Sequence, residues 1–139
     1  MRYFKASFYF LNIVFFLIYS SALNAESLIN SEPLSTKNFS LHFYNQSRSL
    51  DINKIHRWVI ELKDSDGKIV ENAKFSLEGG MPEHDHGLPT EPRVTRYLGD
   101  GKYQLEGLKF HMSGLWQLDI VIEANGHRDK VQFSFIIET

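Results

Sequence analysis

The stretch from Leu115 to Glu138 leaves this chain few ways to fold. Trp116, Leu118, Ile120 and Ile122 alternate with Gln117, Asp119 and Glu123, Asn125-Gly126 follows, and Val131, Phe133, Phe135 and Ile137 then share one side of a second run. Alternation with period two separates an apolar from a polar face only in an extended strand. Asn-Gly supplies two neighbours that tolerate positive φ, which the tightest hairpin turns require. The segment is therefore predicted as two antiparallel strands joined by a short turn.

Earlier segments follow the same grammar. Phe39-Ser40-Leu41-His42-Phe43 alternates, and so does Asn53 to Lys63, where His56, Trp58, Ile60 and Leu62 face one way. Asp64-Ser65-Asp66-Gly67-Lys68 reads as a turn, Ala73–Leu77 as a short strand, and Arg93–Leu98 and Lys102–Leu105 as strands flanking Asp100-Gly101. No helical period is visible after residue 25. Short strands with turn residues between them predict an all-β domain, an antiparallel β-sandwich of about seven strands. The expected inward set is Trp58, Ile60, Leu62, Phe75, Leu77, Tyr103, Leu105, Trp116, Leu118, Ile120, Phe133 and Phe135. At roughly 1.5–3 kcal/mol for each buried large apolar side chain, this core is sufficient without a staple. That matters because the chain has no cysteine. Disulfides, thiolate metal sites, CxxC redox chemistry and a cysteine nucleophile are all excluded.

The N-terminus reads differently. Arg2 and Lys5 precede an apolar run from Phe8 to Tyr19, and the small residues Ser20-Ser21-Ala22-Leu23-Asn24-Ala25 follow. Positive, apolar, then small is the layout of a secretory signal peptide. The run is short for a membrane span, which takes about 20 apolar residues, and it contains Asn12. Residues 1–25 are therefore expected to be a signal peptide, 26–37 a loose polar arm and 38–139 the domain, with membrane attachment only through an uncleaved signal. Loss of Arg2 and Lys5 with the signal leaves 13 basic against 17 acidic residues, a formal charge of −4. With no basic stripe, nucleic acid is not an expected partner.

One segment carries more chemistry than a sandwich needs, namely Gly79-Gly80-Met81-Pro82-Glu83-His84-Asp85-His86-Gly87-Leu88-Pro89-Thr90-Glu91-Pro92. Three of the chain's four prolines fall in it, and proline lowers the freedom of the unfolded chain. A loop held in one shape is expected. An extended backbone at Asp85 would project His84 and His86 to the same side. Imidazoles with a thioether nearby form a soft-to-intermediate donor set; thioethers select Cu(I), while imidazole also suits Cu(II), Ni and Zn. The candidate metal ligands are Met81, His84 and His86, with His56 or Met112 completing the set. The bland readings are two solvated histidines, a hydrogen-bonded strand-end His56 and a core-filling Met112. His42, His111 and His127 read as surface residues.

Catalytic templates fail. There is no His-Glu-x-x-His, no Gly-x-Ser-x-Gly elbow and no phosphate-cradling glycine loop. His84-Asp85-His86 opens like a metallo-β-lactamase ligand run, but Leu88 and Pro89 stand where its Asp and His are needed. No enzyme is expected. The rival to metal binding is an interaction module that uses loop 79–92 to dock an envelope partner.

The run Gly79-Gly80-Met81-Pro82-x-His84-x-His86-Gly87-Leu88-Pro89-Thr90-x-Pro92, then Gly101-x-Tyr103 and Gly107-Leu108-x-Phe110-x-Met112-x-Gly114-x-Trp116, resembles the YtkA-like/FixH-like family of bacterial exported proteins. Ile55-His56-x-Trp58 and Asp66-Gly67-Lys68 fit as well, so the likeness spans roughly residues 50–137. It implies an immunoglobulin-like sandwich in the periplasm or cell envelope. It also implies copper handling, Cu(I) ahead of Cu(II) or zinc, with a periplasmic or membrane copper protein as acceptor. Carried over by position, the ligands are Met81, His84, His86, His56 and Met112. The chain departs in placing Asp85 between the histidines, where glycine is more usual, and the added carboxylate would favour a divalent ion.

Overall fold

A computed structural model describes residues 32–47 and 49–138; the expected signal peptide lies outside them. Within the described residues, nine antiparallel strands form two sheets. The strands are β1 (Leu34–Ser35), β2 (Phe39–Asn45), β3 (Ile55–Asp64), β4 (Lys74–Met81), β5 (His86–Gly87), β6 (Arg93–Gly99), β7 (Lys102–Lys109), β8 (Gly114–Ala124) and β9 (His127–Ile137). One sheet runs β1-β2-β3-β7-β6 and the other β5-β4-β8-β9. Two of the nine are only two residues long. The seven longer strands correspond to the seven segments read as strands from the sequence.

The hairpin around Asn125-Gly126 forms as expected. Ala124 faces His127 across Asn125-Gly126, where φ is 51° and 77°. Asp100-Gly101 repeats this between β6 and β7 with φ of 51° and 72°. Paired positive values match the right-handed twist of the strands they join. Both sheets turn most of their apolar residues inward, with Ile55, Tyr97, Leu98 and Ile136 left exposed. Trp58 is fully buried, with Phe43, Phe110, Phe133 and Phe135 at centroid distances of 5.5–6.4 Å. Nine of the twelve expected core residues are buried, while Phe75, Leu77 and Phe135 pack half-buried against the cluster.

Two segments differ from their sequence reading. The arm expected over 26–37 is tied down at its end, with Leu34 and Ser35 pairing with Leu41 and Ser40. The Asp129 carboxylate holds it there, accepting from Thr36 Oγ1 at 2.6 Å, Asn38 N at 2.8 Å and Asn38 Nδ2 at 2.8 Å. Strand β4, expected to stop at Leu77, runs on to Met81. Its last residues are Gly79-Gly80-Met81, the start of the expected loop. Glycine has low strand propensity, which hid the extension; pairing with Gln117 and Leu118 of β8 supplies the ladder.

Candidate functional site

The chemically loaded segment is a hairpin. Met81 pairs with His86 and Gly80 with Gly87, and residues 82–85 form the turn between them. Asp85 has a φ of 51°, so its backbone is left-handed and not the extended one that the spacing of the histidines suggested. Aspartate is among the few non-glycine residues that enter this region at low cost. This explains how Asp85 can occupy a left-handed corner that glycine would otherwise favour. Gly80 is fixed by close approach, since a Cβ there would strike the His86 carbonyl oxygen. Behind the hairpin the chain is pinned. Leu88 N donates to Gly79 O at 2.9 Å and Thr90 Oγ1 to Gly107 O at 2.5 Å.

The candidate ligands fall into two groups. Met81, His84 and His86 are together at the hairpin. Cross-strand partners point to the same face of a sheet, so Met81 and His86 share one. Met81 is buried at 1% exposure, beneath exposed histidines. The His84 and His86 ring centroids lie 6.4 Å apart at 19°, and His84 N donates to Met81 O at 3.0 Å. His56 and Met112 behave differently. His56 is buried within the sandwich and stacks on Phe110 at 5.7 Å. Its Nε2 lies 2.9 Å from Asp51 O; a carbonyl only accepts, so Nε2 carries the proton and donates. Met112 is 37% exposed, and its backbone carbonyl accepts the Trp116 indole N–H at 3.0 Å.

His111, read from the sequence as a surface residue, is half-buried and joins the group. Its ring lies 5.9 Å from His86 and 5.4 Å from Trp116, edge to face in both cases. A continuous series of rings results, from His56 through Phe110, Trp116, His111 and His86 to His84. The only signal for His111 in the sequence was its place between Phe110 and Met112, and nothing in that spacing revealed its partner. Nδ1 of His56 and Nδ1 of His111 are buried without a hydrogen-bond partner. Among the described residues no three His, Asp or Glu side chains converge as a metal-binding group. Against the same hairpin lies an open groove of about 350 Å³ lined in part by Glu78, Met81, Asp85, His86, Gln117 and Asp119. Asp119 is already engaged there, accepting from Gln132, Lys130 and Gln117, and these bonds hold its carboxyl below the ordinary aspartate range against the opposing effect of burial.

Fold and site together define a class, a small β-sandwich that displays histidines on a glycine-shaped hairpin above a buried thioether. The chain belongs to the YtkA-like family, whose sequence pattern matches residues 45–121. No curated protein matches it. Among solved structures, it is similar to a DUF4426 family protein from Pseudomonas aeruginosa PAO1, with 17% identity and a TM-score of 0.57, covering 77% of this chain and 96% of that one. It is also similar to a copper-bound variant of FetP from uropathogenic Escherichia coli strain F11, with 13% identity and a TM-score of 0.51, covering 78% and 95%. FetP from the same strain as isolated gives 12% and 0.50, covering 77% and 93%. These likenesses establish the shared sandwich.

Proposed function

We propose that this is an exported, non-enzymatic protein of the bacterial envelope that binds copper at the β4–β5 hairpin and hands it to an acceptor protein. The observation that carries the reading is the hairpin pairing, which sets the Met81 thioether and the His86 imidazole on one face with His84 beside them. A thioether with imidazoles favours Cu(I) over oxygen-seeking ions such as Ca²⁺ or Mg²⁺. Membership of the YtkA-like family and a copper-bound protein among its structural neighbours support the same reading. Apolar burial accounts for the core, so copper is cargo and not a folding element. The export assignment rests on the signal-like residues 1–25.

A second reading has one observation in its favour. His84 and His86 are both exposed, and no group of three His, Asp or Glu ligands is assembled among the described residues. On that reading the hairpin is a docking surface for an envelope partner. A Cu(I) competition titration separates the two, run on the protein and on the His84→Ala/His86→Ala double variant, with Zn(II) as control. One-to-one Cu(I) binding that the double variant loses is the expected result. Equal, weak binding by both proteins would leave the docking module.

A further inference from the structure

We propose that His111 is a metal-coordinating residue that shares one copper ion with His86, with the Met81 thioether as third donor. The inference rests on the copper reading above and changes which histidines hold the ion. Two imidazoles bound to one ion through bonds of about 2.0–2.1 Å set their ring centroids roughly 5.1–6.5 Å apart, from a tetrahedral to a linear angle at the metal. His86 and His111 stand inside that window at 5.9 Å, with their planes at 74°. His84 and His86, at 6.4 Å, are near its outer limit.

Met81 approaches from below. Its Cε comes within 2.9 Å of where a Cβ on Gly114 would stand, three residues from His111. Gly114 has a φ of 126° and no side chain, and both properties bring the Met81 end of β4 close to the turn that carries His111. Met81, His86 and His111 thus come from three segments that meet at one end of the sandwich. Two imidazoles and a thioether make a set for Cu(I) that contains no carboxylate. That composition agrees with the lack of any three-member His, Asp or Glu group among the described residues.

The second observation is the orphaned nitrogen. His111 Nδ1 is withdrawn from water without a partner, a state that costs free energy unless something satisfies it. A copper ion accepting its lone pair, reached by a small rotation of the half-buried ring, would do so. The competing account is an N–H pointed at the face of Trp116, whose ring stands 5.4 Å away at 81°. On that account His111 is a packing residue with no part in binding.

The test compares the protein with His111→Phe and His84→Ala. Phenylalanine keeps an aromatic edge against Trp116 and removes both nitrogens, so an unchanged thermal midpoint confirms that packing survives. Cu(I) affinity, measured against a chromophoric chelator, is expected to fall at least about tenfold in His111→Phe, a difference of 1.4 kcal/mol, and less in His84→Ala. Cu(II) quenching of Trp116 fluorescence should weaken in the same variant, because the ion would sit beside that ring. X-ray absorption on the Cu(I)-loaded wild type, which depends on no variant folding, should find one sulfur and two imidazole nitrogens. Wild-type affinity retained in His111→Phe, a larger loss in His84→Ala than in His111→Phe, or fewer than two imidazoles on the ion would each overturn the role of His111 and leave copper binding standing. A wild type that binds no copper would remove both.

Discussion

The two hairpins of the four-stranded sheet use the same backbone device for opposite ends. In β8–β9, eleven residue pairs run from Gly114–Ile137 to Ala124–His127, and the turn closes on Asn125 with a φ of 51°. In β4–β5, two pairs suffice, and the corner residue is Asp85, also with a φ of 51°. The long hairpin buries an apolar face and dresses the other with Arg128–Glu123 and Lys130–Asp119 pairs. The short one buries Met81 and leaves its histidines in water. Turn chemistry alone therefore does not say what a hairpin is for. The residues flanking the turn decide whether it closes a core or presents donors.

The sharpest way to break this contrast is at Trp116, where the two hairpins meet. It is fully buried, stacks edge-to-face on Phe110 at 5.2 Å and touches His111. Trp116→Ala should cost roughly 3–5 kcal/mol in denaturant unfolding, and the proposed copper binding should fail with the fold. Gly80→Val tests the short hairpin alone. The new side chain collides with the His86 carbonyl, and overpacking of this kind costs about 1–3 kcal/mol. Here copper affinity should drop more than the unfolding midpoint, and a variant that unfolds early while binding copper normally would count against a separable site.

The two left-handed corners allow a finer comparison. Asn125→Ala should lose about 1 kcal/mol, because alanine enters this backbone region with difficulty. Asp85→Ala should lose a similar amount, whereas Asp85→Gly should fold as well as the wild type. If Asp85→Gly lowered copper affinity while leaving stability intact, the carboxylate would be a ligand and not a corner.

The smallest effect is expected at Asp129. Hydrogen bonds from the Thr36 hydroxyl, and from the side chain and backbone of Asn38, outweigh some burial and hold its carboxyl below the ordinary value of 3.8. A folded-state pKa below the unfolded one contributes stability that is present above the unfolded value and lost as pH falls through the folded one. Acid titration below about pH 4 should therefore loosen the β1–β9 tie in the wild type. In Asp129→Asn that loosening should already be present at neutral pH. Hydrogen exchange at Asn38 N reads it directly, and an exchange rate with the same pH dependence in both proteins would refute the assignment.

Much of this was written in the chain. Alternation at Phe39–Phe43, His56–Leu62, Trp116–Ile122 and Val131–Ile137 fixed strands and their inner faces, because side chains switch sides at every residue of an extended backbone. Asp100-Gly101 and Asn125-Gly126 fixed turns, because few residue pairs accept two positive φ values. Met81, His84 and His86 were legible as candidate donors from their types alone. The rest depended on contacts between segments far apart in sequence. Gly79-Gly80-Met81 became strand because β8 offered a partner, the hairpin corner became left-handed where spacing alone suggested extension, and His56 was drawn into a stack on Phe110. His111 came to His86 only because the β7–β8 turn folds over the β4–β5 hairpin. Local sequence determines conformations that cost least for each residue in isolation. Which side chains then meet is set by how two sheets bury their common core, and a single lone histidine carries no local signature of that.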